Sequence, residues 1–540
     1  MPVIESYNVS GQAEIRSNKE FLLSQLEEFR QTERLKELSE REAEAKFTAQ
    51  GKMIPRKRVE FLLDPGSPFL EIAAFAGYKM EDDKDGSACG GGVIGGIGLI
   101  HGRFCMIVAS NSAIKGGVIS PTGLKKTLRL QQIAMENKLP VVSLAESGGA
   151  NLNYASEVFV EGARTFANQA KMSALGLIQV TIVHGNATAG GAYQPGLSDY
   201  VIVVRNQSKL FLAGPPLLKA ATGEIASDED LGGGEMHAGI SGTAEYIAES
   251  DADAIAFART LLGHIFQDQA EGMPFPGRTS IVQPLYPADE LLGLIPKDIK
   301  TPFDIRDIWA RIVDGSEFME FKPGYDQGTV CGHSRIMGMR CGLIGNNAPI
   351  TVQGAVKAAQ FIQLCDQAGL PLLFFHNTTG FLVGTESERN GIIKHGSKMI
   401  QAMTNARVPK ISLVIGGSYG AGNYAMCGRG FDPRFIFSWP NSRTAVMGGA
   451  QAGMVLRTVT EEKMRKLGQT VDERKLAMME EATRQKLDQE SSAMYGSARL
   501  WDDGVIDPRD SRKVLGLCLF ICQSADQAKL AGSTFGVSRF

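Results

Sequence analysis

The 540-residue sequence lacks any apolar run long enough to cross a membrane as a helix, which needs about 20 residues. Its first residues, MPVIESYNVSGQ, have neither the apolar core of a secretory signal nor the Arg-rich composition of an organelle presequence. A net charge of −3 offers no basic field for nucleic acid. These absences predict a bacterial cytoplasmic protein without a membrane or nucleic-acid partner.

Two kinds of ligand motif are also missing. The eight cysteines include no C-x-x-C pair, which argues against a zinc ribbon and predicts no metal site. The glycine-rich stretch GGSYGAGNY lacks the Lys-Ser/Thr of a P-loop, and no acidic residue follows at the interval of a dinucleotide site. Glycine itself is abundant, at 62 residues, so many loops need close approach or positive φ.

The chain is too long for one ordinary core, and it repeats itself. LPVVSLAESGGANL from Leu139 is echoed by LPLLFFHNTTGFLVG from Leu370, and VTIVHGNATAGGAY from Val180 is echoed by SLVIGGSYGAGNY from Ser412. The offset stays near 230 positions. Apolar strands alternate with helical stretches in both halves, which predicts an α/β fold made of two copies of one domain.

The domain boundaries follow from composition. Charged residues with apolar residues at helical spacing over 17–50 predict a long amphipathic helix or a helical hairpin. A Pro-rich stretch without periodicity, somewhere within 270–305, predicts a linker. The resulting assignment is an N-terminal helical extension over 1–50, a first domain over 51–275, a linker over 276–304 and a second domain over 305–540.

Glycine-rich turns that follow strands present backbone N–H groups that no Cβ shields. Such groups bind anions, either a phosphate or the oxyanion of an enolate. One donor aimed at a developing oxyanion contributes about 3 kcal/mol to lowering a barrier. Because the P-loop signals are missing, the enolate is the better candidate, and plain tight turns are the alternative.

Several motifs in order give the chain a family resemblance. They are AESGGANL, GNATAGGAYQPGLSD, FLAGPPLLKAATGE, LGGGEMHAGISG, VDGSEFMEFKPGY, FIQLCDQAGLPLLFFHNTTGFLVG, VIGGSYGAGNYAMCGR and FSWPNSRTAVMGG. Together they resemble the carboxyltransferase β subunit of biotin-dependent acyl-CoA carboxylases, from about residue 50 to past 510. Within that family the chain is most similar to the methylcrotonyl-CoA and geranyl-CoA carboxylases.

The resemblance implies two tandem crotonase-like (ββα-superhelix) domains that transfer a carboxyl group from carboxybiotin to the γ-carbon of an enoyl-CoA. Biotin itself accepts the substrate proton, so the protein needs backbone donors rather than a nucleophile. The sequence has no A/V-M-K-M biotin attachment motif, so biotin is expected on a separate biotin carboxylase/carrier α subunit. The family assembles β hexamers, within α6β6, in which the first domain of one chain faces the second domain of another.

The resemblance also assigns site residues. Gly148 and Gly149, with Ala150 beside them, match the loop that receives the thioester carbonyl, whereas Gly420, Ala421 and Gly422 match the loop that receives the biotin carbonyl. Gly190 and Gly191 are the repeat partners of the second loop, and Gly380 and Phe381 are interpreted as the partners of Gly148 and Gly149. For Gly190 and Gly191, packing glycines are the favoured alternative.

Charged and titratable side chains give weaker candidates. His184 and His376 end strands and suggest a general base, but neither has an evident carboxylate partner in the sequence. Lys125, Lys126 and Arg129 either meet the phosphates of coenzyme A or form a solvated helix face.

The acyl group is predicted from one position. Methylcrotonyl-type members carry a helix resembling HFGRIFFNQ, with an aromatic residue at the acyl pocket, and this chain has EGARTFANQ, with Gly162 in its place. Loss of a ring leaves room for a longer chain, so geranyl-CoA is favoured over 3-methylcrotonyl-CoA. The alternative is that Gly162 merely begins the helix. A crotonase-type hydratase, a sodium-pump decarboxylase subunit and a non-catalytic scaffold are the other functions considered.

Overall fold

The computed structural model describes residues 1–6, 13–266, 281–298 and 301–538. The chain forms two compact units, each built from separated segments. The N unit consists of Gln31–Phe275, Ala498–Leu500 and Ile521–Phe540, and the C unit consists of Met1–Arg30, Pro276–Ser497 and Trp501–Phe520. The sequence assigned all of 305–540 to the second domain, whereas the last twenty residues belong to the N unit.

The N unit is built on a mixed sheet with the order β1-β2-β3-β4-β5-β6-β8, and β7 also pairs with β5. The first three strands are antiparallel and the others are parallel. The strands are β1 Leu70–Glu71, β2 Val93–Ile100, β3 Arg103–Ser110, β4 Val141–Ser147, β5 Gln179–Thr188, β6 Tyr200–Val204, β7 Lys209–Phe211 and β8 Tyr246–Ala248.

The C unit repeats this sheet. Its order is β14-β13-β12-β11-β10-β9, with β15 on β13, and antiparallel strands again lead into parallel ones. The strands are β9 Met319–Glu320, β10 Thr329–Ile336, β11 Met339–Asn346, β12 Leu372–Thr378, β13 Lys410–Tyr419, β14 Phe435–Ser438 and β15 Arg443–Ala445. Strands β9 to β15 therefore match β1 to β7 in order, and the α/β prediction is confirmed.

Helices occupy most of the connections between strands. They are α1 Ala13–Ala49, α2 Pro55–Leu62, α3 Pro121–Glu136, α4 Ala155–Ala174, α5 Tyr193–Gly196, α6 Pro215–Thr222, α7 Asp228–Gly232, α8 Gly234–Gly239, α9 Asp251–Ile265, α10 Leu291–Leu294, α11 Ile305–Trp309, α12 Val352–Gln367, α13 Thr385–Arg389, α14 Ile392–Asn405, α15 Gly420–Ala425, α16 Gly449–Lys466, α17 Glu473–Glu490, α18 Ala493–Ala498 and α19 Ser511–Gln527.

The N-terminal helix is a single element rather than a hairpin, because α1 runs unbroken through the charged segment. Leu22 and Leu26 on its apolar stripe pack against Leu292 of α10. Part of the predicted linker is therefore folded into the C unit. Its residues 276–280 and 299–300 lie outside the described residues.

Each sheet is buried on both faces, as is usual for parallel strands covered by helices. In the N unit, Val142, Leu144 and Ile182 belong to a continuous apolar cluster. In the C unit, Ile344 and Phe374 belong to the corresponding cluster. These cores hold the carboxyl ends of the parallel strands, where the glycine turns begin. Within the part of the chain that the structure describes, no helix is apolar enough over sufficient length to span a bilayer.

Candidate active site

The first glycine loop begins where β4 ends. Gly148 is exposed and Gly149 is buried with φ +92°, a conformation that favours glycine. The Gly149 amide donates to Ser147 Oγ at 3.1 Å, and its carbonyl accepts from the Ile119 amide at 2.9 Å. The Gly148 amide donates to the Gly116 carbonyl over a long 3.3 Å. Both amides therefore have internal acceptors, which a thioester oxygen would share or replace.

The second glycine loop joins β13 to α15. Gly420 starts the helix with φ +52°, Ala421 is exposed and Gly422 is buried. The first N–H groups of an α-helix have no partner inside the helix, and the positive end of the helix dipole lies beside them. N–H groups at such a position can bind an anion, and Ala421 is exposed in this turn.

Each unit brings two glycine loops together. In the N unit, a Cβ built on Gly149 would lie 3.9 Å from Thr188 Oγ1, at the start of the turn that contains Gly190 and Gly191. In the C unit, a Cβ built on Gly422 would lie 2.8 Å from Gly380 Cα. The described residues thus place both predicted loops of each repeat side by side.

Close packing within the described chain does not require glycine at positions 190 and 191. A Cβ built on Gly190 would come no closer than 3.8 Å to Phe166, and one built on Gly191 would meet nothing within 4 Å. Both glycines lie in a short turn after β5 with space above them. Neither backbone position is closely covered by other described residues.

The repeat register differs by one residue from the sequence interpretation. Gly149 and Gly380 each donate to the hydroxyl two residues earlier, and Ala150 and Phe381 form matching bridges to Ile119 and Ile350. The structural partners are therefore Gly149 with Gly380 and Ala150 with Phe381, each pair 231 positions apart. Thr379 is the partner of Gly148, so the second copy lacks the glycine pair.

Beneath the first loop lies a buried ion network, which the sequence did not reveal. His184 Nδ1 lies 2.7 Å from Asp251 Oδ1, which corrects the expectation that His184 has no carboxylate partner. Arg58 joins Asp251 and Glu146 at 3.0 and 2.7 Å. Asp251 stands 67 positions after His184, so only the fold brings the two together.

The environment of this network keeps Asp251 ionised and His184 neutral. Burial raises the pKa of Asp251, but its hydrogen bond to His184, the charge of Arg58 and the hydrogen bond from the Met53 amide outweigh burial and hold it well below its usual range. Burial and the Arg58 charge lower the pKa of His184. His184 is fully buried. It is a neutral structural side chain, not a base that reaches a substrate.

His376 is also unsuited to act as the base. It is fully buried, and its Nδ1 lies 2.8 Å from Ser418 Oγ. Burial lowers its pKa to about 3, so the ring is neutral at physiological pH. The hydroxyl of Ser418 also accepts from the Asn423 amide group of α15.

Two of the three basic candidates on α3 are structural. Lys126 is fully buried and donates to the carbonyls of Gly90 and Val93, and Arg129 is buried as well. Burial lowers the pKa of Lys126 to about 7. Lys125 is exposed. Among these three, Lys125 is the side chain that can meet a phosphate.

Gly162 lies well inside α4, which rules out the helix-entry explanation. A Cβ built there would have Val158 Cγ1 as its neighbour, at 3.9 Å. Glycine inside a helix costs about 1 kcal/mol relative to alanine. The local packing therefore gives no reason for glycine at this position.

A cavity of about 220 Å³ adjoins the first loop and was not predicted. Its lining includes Met80, Asp82, Gly91, Val118, Ser120 and Asn151. Val118 Cγ2 lies 3.4 Å from a Cβ built on Gly148, so the cavity reaches the loop. Asp82 accepts from Asn151 Nδ2 at 2.8 Å and closes one side. The described ranges hold no cluster of three or more His, Cys, Asp or Glu placed to bind a metal.

Comparisons with known proteins identify the family of the chain. The family model "Carboxyl transferase domain" matches residues 46–534. The structure is similar to the β subunit of P. aeruginosa geranyl-CoA carboxylase, with 62% identity, a TM-score of 0.93 and full coverage of both chains.

Curated relatives cover most of the chain as well. The biotin-dependent 3-methylcrotonyl-coenzyme A carboxylase beta1 subunit of Mycobacterium tuberculosis is 46% identical over 89% of this chain and 91% of its own. The mitochondrial methylcrotonoyl-CoA carboxylase beta chain of Dictyostelium discoideum is 46% identical over 89% of this chain and 81% of its own. The chain therefore belongs to the carboxyltransferase β subunits of biotin-dependent acyl-CoA carboxylases.

Proposed function

We propose that the chain carboxylates the γ-carbon of geranyl-CoA or a similar long branched enoyl-CoA. The observation that carries this choice is Gly162, an interior helix glycine at which a Cβ would come no closer than 3.9 Å to Val158 Cγ1, so that close packing does not require glycine. The 62% identity to the P. aeruginosa geranyl-CoA carboxylase β subunit supports the same choice. The methylcrotonyl-CoA carboxylase relatives make 3-methylcrotonyl-CoA the second candidate.

The proposed chemistry uses backbone groups. Gly148 and Gly149, beside Ala150, receive the thioester oxygen of the acyl-CoA, and the turn of Gly420, Ala421 and Gly422 receives the ureido oxygen of biotin. The exposed, side-chain-poor surface at Ala421 fits a flat ureido group. Carboxybiotin, when bound, supplies the carboxyl group. Fixed N–H donors that stabilise an enolate oxygen lower the barrier without a reactive side chain.

We further propose that each unit is a crotonase-like domain, the N unit for acyl-CoA and the C unit for biotin. Biotin arrives on a biotin carboxylase/carrier α subunit, and the β chains form a hexamer within α6β6, in a bacterial cytoplasm. Since the acyl-CoA and biotin loops are carried by different units, we propose that each active site combines units of two chains. A separated monomer should then be inactive, which sedimentation combined with an activity assay checks.

The substrate is tested by comparing kcat/KM for geranyl-CoA and 3-methylcrotonyl-CoA in the wild type and in Gly162→Phe, each assembled with its biotinylated α subunit. We expect the wild type to prefer geranyl-CoA and the phenylalanine variant to lose that preference by about tenfold or more, because a ring overlaps the longer chain. A wild type that prefers the short substrate, with no change in the variant, would contradict the proposed substrate while leaving the transfer chemistry intact.

A further inference from the structure

The residue before the first glycine loop sits at a strand irregularity. The pairing of β4 with β5 shifts register between Ala145 and Ser147, which singles out Glu146. A bulge of this kind re-aims a side chain at the end of a strand. Glu146 therefore departs from the regular alternation of side chains along β4. It lies two positions before Gly148, the first glycine of the loop that is proposed to hold the acyl oxygen.

The Glu146 carboxylate is held from several directions. Lys52 Nζ lies 2.9 Å from Oε1, and both Arg58 Nη1 and Ser112 Oγ lie 2.7 Å from Oε2. Gly185 supplies the room, because a Cβ there would lie 2.4 Å from Oε1. Burial raises the pKa of Glu146, but the charges of Arg58 and Lys52 outweigh burial and lower it, so the carboxylate is ionised.

Arg58 connects the Glu146 carboxylate to two helices, α2 and α9. It is fully buried, and its Nε donates to Asp251 Oδ2 at 3.0 Å. Asp251, the first residue of α9, also accepts from the Met53 amide at 2.8 Å and from Gln207. The end of β4 is thereby connected to α2 and α9 through charge-assisted hydrogen bonds, which are the strong ones.

Backbone contacts connect Glu146 to the first glycine loop. Gly117 packs against Glu146, since a Cβ on Gly117 would lie 2.5 Å from the Glu146 carbonyl. Ser147 Oγ donates to the Gly117 carbonyl at 3.0 Å and accepts from Gly149, while the Gly148 amide donates to Gly116. A displacement of Glu146 therefore displaces both amides of the first loop.

We propose that Glu146 is a positioning residue for carboxyl transfer: through Lys52, Arg58 and Ser112 it fixes the amides of Gly148 and Gly149 relative to the thioester oxygen. The inference rests on the proposed function of this loop. The repeated strand end does not itself call for an ion pair, because the matching residue of the C unit is Asn377. Catalysis is sensitive to such positioning, since a misplacement of 1 Å costs up to about a hundredfold in rate.

The test replaces Glu146 by glutamine in the β chain assembled with its biotinylated α subunit. We expect kcat for acyl-CoA carboxylation to fall about tenfold to a hundredfold, with KM for acyl-CoA changed less than about threefold, because Glu146 is proposed to act on the loop amides and not on the CoA moiety. Carboxybiotin decarboxylation without acyl-CoA, which uses the C-unit loop, should stay within about twofold.

The matched control is Glu71→Gln. Glu71 is likewise held by two cations, Lys36 at 3.2 Å and Arg56 at 3.0 Å, but it lies in β1. We expect Glu71→Gln to lower the thermal unfolding midpoint without lowering kcat. Equal losses of kcat in the two variants, or a proportional loss of decarboxylation in Glu146→Gln, would overturn the positioning role. A wild-type complex without carboxybiotin-dependent transfer would instead contradict the proposed function.

A second pair of variants covers the case in which Glu146→Gln does not fold. Gly185→Ala keeps every charge and displaces the Glu146 carboxylate, and Gly416→Ala places a Cβ 2.3 Å from Asn377 Oδ1 at the matching position of the C unit. We expect the first to lower transfer selectively and the second to leave the KM for acyl-CoA unchanged. Full transfer activity in Gly185→Ala would overturn the proposal.

Discussion

The two copies of the repeat have the same strand ends but fill the space beneath them differently. In the N unit, Glu146 occupies the space above Gly185 and is surrounded by cations. In the C unit, Asn377 occupies the space above Gly416, and a cavity of about 270 Å³ lies beside it. The cavity is lined in part by Tyr419, Asn441 and Arg443.

The buried histidines differ between the copies as well. His184 of the N unit is matched by Ile415, and His376 of the C unit is matched by Ala145, each pair 231 positions apart. Neither histidine has a counterpart, although the glycine turns are shared. The backbone of the turns is thus what the two copies have in common, and the side chains beneath them are free to differ. This agrees with a chemistry performed by N–H groups rather than by side chains.

The largest effect is expected when a larger side chain blocks access to the amides of the second glycine loop. Ala421→Val adds two methyl groups at an exposed position of the first turn of α15. We expect carboxyl transfer to fall by at least about a hundredfold, because the approach to the amides is blocked. The thermal unfolding midpoint should change by less than about 2 °C, since the site is exposed. Activity and unfolding are measured on the same preparations.

Ala252→Val is the control, because Ala252 is exposed at the same position of the first turn of α9. It should leave transfer unchanged. Gly422 is unsuitable for this test, since a side chain there would collide with Gly380 and disturb the fold. Wild-type transfer in Ala421→Val would contradict the assignment of the biotin loop.

The second largest effect is expected when the buried ion network of the N unit loses its arginine. Arg58→Met leaves two buried carboxylates, Glu146 and Asp251, without their shared cation. Removing one partner from a buried ion network costs about 3–5 kcal/mol. We expect a loss of that order in the free energy of unfolding, measured by denaturant titration. A loss below about 1 kcal/mol, similar to that of a surface pair, would show that the network does not stabilise the N unit.

The buried His376, which has no histidine counterpart in the N unit, is expected to make the free energy of unfolding depend on pH. Its pKa is about 3 in the folded protein and about 6.5 when unfolded, so the unfolded state binds the proton first as pH falls. Its contribution to stability is complete above pH 6.5 and is lost between about pH 6.5 and pH 3, at about 1.4 kcal/mol per pH unit. His376→Ala, which copies Ala145 of the N unit, should lack this part of the pH dependence of unfolding.

His376→Ala also tests the mechanism. Transfer should stay within about tenfold of wild type in folded protein, because the buried ring does not reach a substrate. A loss as large as that of Ala421→Val, with the fold intact, would contradict catalysis by backbone groups. An unchanged pH dependence of unfolding would contradict the burial of a neutral His376.

Much of this architecture is predictable from sequence because it depends on local patterns. The apolar runs around Val142 and Leu373 predict the central strands, and the glycines at 149 and 380 mark the turns that need positive φ. The chemistry follows from the resemblance of several motifs. Gly162 is visible in the sequence, but the distance of 3.9 Å that a Cβ there would keep from Val158 is a property of the structure.

What the sequence does not predict depends on distant contacts. Arg58, Glu146 and Asp251 meet across 193 positions, and no local pattern marks them as partners. The repeat register was wrong by one because the pattern GG in one copy and TG in the other permits either alignment, and hydrogen bonds to Ser147 and Thr378 decide it. The last residues of the chain belong to the N unit, where Ser533 donates to the Ala174 carbonyl.

The smallest expected effect compares the first residues of the two matching turns. Ala189 and Gly420 both have φ +52°, so an alanine holds a left-handed conformation in the N unit that a glycine holds in the C unit. That conformation costs a non-glycine residue about 1 kcal/mol, while glycine adds about 0.4–1 kcal/mol of unfolded-state entropy. The two terms nearly cancel in Ala189→Gly. We expect the free energy of unfolding to change by less than about 0.5 kcal/mol.

Gly420→Ala should behave differently, although it makes the C unit resemble the N unit. The new Cβ has the same left-handed strain, and it also lies 3.0 Å from the Val446 carbonyl, whereas Ala189 is exposed. We expect a loss of about 1–2 kcal/mol, measured by denaturant unfolding of both variants under one set of conditions. Changes of equal size and opposite sign in the two variants would mean that the turns are conformationally interchangeable. A larger loss in Gly420→Ala would show that the carbonyl of Val446, and not the turn itself, requires glycine in the C unit.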